Sequence, residues 1–202
     1  MENVFTRENM KLAVENLLLK NDSCGIDGIY ISQYKEYFDL NGEMIRQRIL
    51  ESNYKPDVVQ QVDLLKKNGK HRTISKYTCT DRVILDVLKN YLTPLWKDEF
   101  SKYSYAYQEE KGVQEAVQQC AQYIEAGHEW LVEIDIKDFF DTINIERMLS
   151  MIKRKVQNEK LIKLIHSYLY VMLQDDVRRY RKTMGLVQGS PLSPLFSNIY
   201  MQ

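Results

Sequence analysis

Proline and cysteine are both scarce in this chain, at 4 and 3 residues, and each scarcity closes off a class of protein. So few prolines, with only 8 glycines, exclude a low-complexity or largely disordered chain. Cys24, Cys79 and Cys120 lie far apart and form no C-x-x-C pair. Neither a disulfide framework nor a zinc site is therefore expected, and reduced thiols suit a cytoplasmic setting. No apolar run reaches the ~20 residues that cross a bilayer, so no membrane partner is expected. The start, "MENVFTRENMKLAVENLLLKND", is charged and amphipathic and lacks the uninterrupted apolar stretch of a signal peptide. Net charge is missing too, with Lys+Arg and Asp+Glu at 28 each.

What the balance hides is a distribution. Lys66, Lys67, Lys70, Arg72, Lys76 and Arg82 cluster within residues 64–82, and a second basic run covers 150–182. Each run alone reads as a solvated face. Flanking an acidic segment, the two together also fit a polyanion held beside a metal.

Apolar spacing predicts a helix over 6–20 capped by Thr6 and two short helices over 33–39 and 42–52 capped by Ser32 and Asn41. A β-hairpin follows, with strands near 58–65 and 71–75 around an Asn68-Gly69 turn. Further helices are expected over 80–100, with Pro94 as a possible kink, and over 113–126. A strand over 130–136 should put Val132, Ile134 and Ile136 on a buried face and Glu133 and Asp135 on the other. Helices over 145–156 and 159–173, the latter capped by Asn158, precede a strand over 177–184. A last helix starts at Ser190-Pro191. This order is α+β, without the βαβ series of a doubly wound sheet.

Three stretches carry chemistry. In "LVEIDIKDFFDTIN" (131–144), Asp135 at a strand end is a hard oxygen ligand of the kind that suits Mg²⁺, or else a solvated acid on an open sheet face. In "LLKKNGKHRTIS" (64–75), Lys66 and Arg72 straddle a turn and can converge on a phosphate chain, although basic hairpin tips are common. In "GLVQGSPLSPLFSNIY" (185–200), a Gly-bearing loop presents Gln188 beside Gly189 ahead of a proline-led helix.

The first and third of these stretches together resemble motifs A and B of prokaryotic reverse transcriptases of the group II intron-encoded, maturase-like type. "CGIDGIY" (24–30) is similar to that family's GIDG element, "LLKKNGKHRTIS" to its fingers hairpin, "TDRVILDVL" (80–88) to its DR helix, and "FSKYSYAYQEEKG" (100–112) loosely to its SYGFRP region. The resemblance runs from about residue 24 to 202. It implies a helix-rich fingers region with a β-hairpin joined to the N-terminal part of a right-hand palm. The divisions it implies are 1–55 (N-terminal helical extension and start of fingers), 56–126 (fingers) and 127–202 (partial palm).

The resemblance also implies an RNA-directed DNA polymerase that adds dNTPs to a primer 3′-OH on an RNA template with Mg²⁺. Asp135 and the Ile136 carbonyl would hold metal, and Phe140 would be the sugar gate. Lys66 and Arg72 would hold the triphosphate, with Gln188 and Gly189 lining the nucleotide pocket. Phe139 is expected in the core. Partners would be an RNA template and DNA primer, intron RNA as a further candidate, and a second copy through exposed palm surface.

The chain departs from the pattern in places. Val187 replaces the proline of PQG, Gln108 stands at the arginine of SYGFRP, and no Y-x-D-D occurs within these residues. Asp175-Asp176 precedes motif B and is expected to be a hairpin turn. This chain alone is therefore expected to be an inactive portion of a polymerase. The alternatives are an RNA-binding maturase-type module and a defence or CRISPR-associated reverse transcriptase-like protein.

Overall fold

Thr6 accepts a hydrogen bond from the Asn9 N–H at 3.1 Å and opens α1 (Arg7–Leu18), as its place in the sequence predicts. The structure is a computed structural model that describes residues 1–65, 69, 71–108 and 111–202, without the side chains of residues 65, 71 and 72. The two short helices expected next are a single one, α2 (Ile31–Leu50). Asn41 caps nothing, because its side-chain amide donates to the Tyr37 carbonyl at 2.9 Å and the helix runs through it. Buried Ile31, Tyr34, Gly42, Ile45 and Ile49 keep one face continuous across the expected break.

The hairpin follows as β1 (Val59–Leu65) and β2 (His71–Lys76), paired antiparallel with Gln61 opposite Ser75. Asn68 of the expected turn lies outside the described residues. Next come α3 (Cys79–Trp96), which contains Pro94 and ends in a 3-10 turn over Lys97–Glu99, and α4 (Val113–Glu125). Beyond them lie α5 (Phe139–Thr142), α6 (Ile145–Lys153) and α7 (Glu159–Leu169), the last capped by Asn158 as expected. Strands β3 (Met172–Gln174) and β4 (Arg179–Arg181) and helix α8 (Ser193–Tyr200) complete the order. β3 adds parallel to β1 and antiparallel to β4, giving one four-stranded sheet in the order β2-β1-β3-β4. Helices around one small mixed sheet make the α+β class expected. Among the described residues, no helix is long and apolar enough to cross a membrane.

The core is built around α3, whose Val83, Ile84, Leu85, Leu88 and Leu92 are buried together with Leu17 of α1, Ile152 of α6 and Ile165 of α7. Its N-terminus holds a buried polar hub. Asp81 Oδ1 accepts from the Tyr54 and Tyr168 hydroxyls at 2.9 and 2.7 Å, and Oδ2 accepts from the Thr78 hydroxyl and the Asp57 N–H, both at 3.0 Å. One carboxylate thus ties the approach to β1, the cap of α3 and the body of α7.

The expected strand over 130–136 is not formed. Residues 128–136 have no strand pairing, and Trp130, Leu131, Val132 and Ile134 are 94%, 87%, 81% and 85% exposed. A strand exists through its ladder with a neighbour, and no described strand pairs with this segment. The alternation that should separate an apolar from an acidic face therefore leaves both in solvent. Helix α4 shares this exposure: none of its residues is buried, and Val113, Val117 and Ile124 are exposed.

Candidate functional site

Gln61 of β1 and Thr73 and Ser75 of β2 fall on one face of the sheet, as their register requires. The Tyr180 hydroxyl of β4 donates to Gln61 Oε1 at 2.5 Å and so reaches across β3 to β1 on that face. Above it lies a cavity of about 890 Å³, walled by Phe140 and Asp141 of α5, by Lys182 just past β4, and by the loop Leu186–Ser190.

The loop is held on two sides. Toward the hairpin, the Ser75 N–H donates to the Gln188 carbonyl at 3.3 Å, and a Cβ on Gly189 would lie 2.9 Å from the Ser75 carbonyl oxygen. Toward α5, the Leu186 N–H donates to the Phe140 carbonyl at 2.7 Å and the Gly185 N–H to the Ile143 carbonyl at 2.8 Å. From within, the Ser193 hydroxyl donates to the Val187 carbonyl at 2.7 Å. The segments 131–144 and 185–200, singled out in the sequence, are thus stitched to each other through their backbones.

Phe140 is half-buried and meets Phe139 edge-on, ring centroids 6.0 Å apart. Both rings pack against the core, Phe139 also beside Tyr200 and Phe140 at the cavity wall. Asp138, which also lines the cavity, sits at φ 50°, ψ 36°. That left-handed conformation is uncommon outside glycine, and aspartate tolerates it better than most residues. Its carbonyl accepts from the Asp141 and Thr142 N–H groups and so starts α5.

The sequence-derived residues divide accordingly. Phe140, Gln188 and Gly189 converge on the cavity. Lys66 lies outside the described residues. Arg72 has its backbone in β2 opposite Leu64, and its side chain lies outside them as well. Asp135 and Ile136 stand on the unpaired exposed stretch rather than on a strand, and neither lines the cavity. Among the described residues no three His, Cys, Asp or Glu side chains gather closely enough to hold a metal ion. Asp135 has the oxygen chemistry that suits Mg²⁺, as one carboxylate where a two-metal centre takes several. Asp175 is a turn residue, as expected. Its Oδ1 accepts from the Val177 and Arg178 N–H groups, both at 2.8 Å, and these hold its carboxyl below the ordinary carboxylate range.

Gln61, Tyr180 and Lys182 are cavity residues that the sequence did not single out. The available signal was the alternation in "RRYRK", where Arg179 and Arg181 are exposed while Tyr180 and Lys182 are half-buried. Burial pushes the Lys182 ammonium below the ordinary lysine range, and the Asp141 carboxylate partly offsets this. A second cavity, of about 410 Å³, shares Tyr107 and Pro194 with the first and is lined by Lys89, Lys97, Lys111 and Phe100.

Residues 64–202 match the family described as reverse transcriptase (RNA-dependent DNA polymerase). The chain belongs to the reverse transcriptase family. The matched span contains β2, α5 and the loop, and with them all but Gln61 of the larger cavity's residues. Protein YkfC of Escherichia coli (strain K12) is 25% identical over 182 residues, covering 88% of this chain and 48% of that protein. The group II intron-encoded protein LtrA of Lactococcus lactis subsp. cremoris is 26% identical over 191 residues, covering 94% of this chain and 32% of LtrA. This reverse transcriptase chain thus spans from about a third to about half of these relatives' lengths, and the intron-encoded resemblance read from its motifs holds. A chain of the partial Cas6-RT-Cas1–Cas2 complex superimposes with a TM-score of 0.66 at 22% identity, over 99% of this chain and 33% of that one, and shows a shared fold.

Proposed function

We propose that this reverse transcriptase chain binds a deoxynucleoside triphosphate in the 890 Å³ cavity and faces an RNA template and DNA primer during RNA-directed DNA synthesis. The observation that carries this reading is the convergence of Phe140 with Gln188 and Gly189 over the hairpin sheet, from segments far apart in sequence. The cavity suits a nucleotide in size and is polar at its floor, with the Phe140 ring at its wall. In this reading Phe140 lies under the sugar and clashes with a 2′-hydroxyl, while Lys66 and Arg72, by their place in the family's motif, hold the triphosphate. The adjoining lysine-lined groove suits a single-stranded template leaving the pocket, with the rings of Tyr107 and Phe100 as stacking surfaces. The family's Mg²⁺ would be held by Asp135 and the Ile136 carbonyl. Intron RNA is a further candidate partner, and a cytoplasmic setting suits the three free cysteines.

The test is equilibrium binding of dGTP and GTP to the 202-residue chain. The wild type should prefer dGTP by about ten-fold or more, and Phe140→Ala should bring the two affinities close together. A wild type that binds neither nucleotide, or a Phe140→Ala chain that keeps the preference, would overturn the reading. With no Y-x-D-D within its residues, the same chain assayed alone should extend no primer on an RNA template. Templated synthesis by it would contradict that expectation.

A further inference from the structure

Alternation along β4 gives the sheet two faces of different character. Tyr180 turns to the cavity together with Leu173, its partner on β3. Arg179 and Arg181 turn the other way, opposite Gln174 and Met172, and both arginines are exposed. Each guanidinium is held by a neutral acceptor. The Arg181 Nε donates to the Tyr170 carbonyl at 3.2 Å, and the Arg179 Nε donates to Gln174 Oε1. Among the described residues neither arginine forms an ion pair, and the terminal nitrogens of both have no hydrogen-bond acceptor. Two carboxylates nearby are engaged elsewhere, Asp175 by the N–H groups of its own turn and Glu146 by the Tyr170 hydroxyl, and Asp176 sits in the turn beyond the ladder. Flat side chains adjoin Arg181. Its guanidinium lies 5.6 Å from the centroid of the Tyr170 ring, and Tyr170 meets His166 with centroids 4.6 Å apart.

We propose that this outer face of the β3–β4 ladder grips a single polynucleotide strand by its phosphates, at a site separate from the cavity. A guanidinium with uncompensated charge and an Nε already fixed offers its terminal N–H groups to a phosphate with little further ordering. Alternate residues of a strand stand about 6.6 Å apart, so the pair suits two successive phosphates of an extended backbone better than one isolated anion. Tyr170 and His166 add flat surfaces on which a base stacks. An acidic protein surface would satisfy the arginines but leave these rings without a flat partner. Arg179 and Arg181 face away from the cavity, so a strand held here lies across the sheet from it and both sites can be occupied together.

The test follows, by fluorescence anisotropy across a salt series, binding of an oligo(U) RNA of about 12 nucleotides and its oligo(dT) counterpart to the 202-residue chain. The oligonucleotide held more tightly identifies the strand as RNA or DNA. With Arg179→Ala and Arg181→Ala together, binding should weaken about ten-fold or more. The slope of log affinity against log salt should become shallower by about 1.4, the share of two phosphates on a single strand. Melting temperature and dGTP affinity should stay at their wild-type values, because neither side chain belongs to the core or lines the cavity. Arg179→Lys with Arg181→Lys should keep the wild-type salt slope, a rescue that a purely structural role would not produce. A wild type that binds neither oligonucleotide, or a double-alanine chain that keeps both affinity and slope, overturns this inference and leaves the nucleotide-binding reading in place. A wild type that binds oligonucleotide but no dGTP overturns that reading alone.

Discussion

Replacing Asp81 with alanine should cost the fold about 3–5 kcal/mol at pH 5, measured as the change in unfolding free energy in urea. The carboxylate is fully buried and receives hydrogen bonds from the hydroxyls of Tyr54, Tyr168 and Thr78 and from the Asp57 N–H. Alanine removes every acceptor at once and leaves those donors buried in an apolar surround. The partners belong to segments distant in sequence, so no local rearrangement satisfies them together. A loss within about 1 kcal/mol would mean that water enters and takes the place of the carboxylate.

The same residue gives a pH dependence of definite sign. Burial pushes the Asp81 carboxyl up to about 6, and the hydrogen bonds from Tyr168, Tyr54 and Thr78 restrain it from rising further. In the unfolded chain the group titrates near ~3.9. The folded state therefore holds the proton more tightly. Its contribution to stability is complete below about pH 4 and is lost as pH rises through about 6. The separation corresponds to about 3 kcal/mol. Asp81→Asn cannot titrate, so the wild type's stability margin over it should be larger at pH 4.5 than at pH 7.5. A margin that grows with pH would show that the hydrogen bonds, and not burial, dominate the group.

How much of this was legible in the sequence depended on how local each interaction is. Thr6 and Asn158 cap helices within a single turn, and their roles could be read from position alone. The turn at Asp175 closes on its own next residues and was equally readable. The break expected at Asn41 was wrong because a cap residue was weighed by type, while an apolar face continuous through Gly42 decided the helix. Residues 130–136 show the opposite limit. Their alternation is a sound strand signal, but a strand also needs a ladder partner, and none of the described strands provides one. Asp135 was therefore marked by type without being placed on a rigid platform. Asp81 was seen only as part of a helix-opening pair, because three of its donors come from residues 54, 57 and 168. Lys182 was submerged in a long basic run, and only the alternation along the strand separates it from the exposed arginines that precede it.

Gly185→Ala should cost about 3 kcal/mol and weaken nucleotide binding by about ten-fold or more, with Gly28→Ala as its matched control. The two glycines have nearly the same backbone, at φ +77° and +73°. Each alanine would therefore meet a similar left-handed penalty, about 1 kcal/mol. Their surroundings differ. Around Gly28 an added Cβ meets nothing within 4 Å. At Gly185 it would lie 2.7 Å from the Asp141 Cα and from the carbonyl oxygens of Phe140 and Asp141. These are backbone atoms and cannot swing aside as a side chain would, so α5 and the loop must separate. That separation strains the hydrogen bonds from Gly185 to Ile143 and from Leu186 to Phe140, and it shifts Phe140 and Asp141 relative to Gln188. The excess of the Gly185→Ala loss over the Gly28→Ala loss thus measures the seam between the two motifs rather than glycine's conformational freedom. Equal losses at the two positions would show that the seam yields. In that case the joint placement of Phe140 and Gln188 would not depend on the close approach at Gly185.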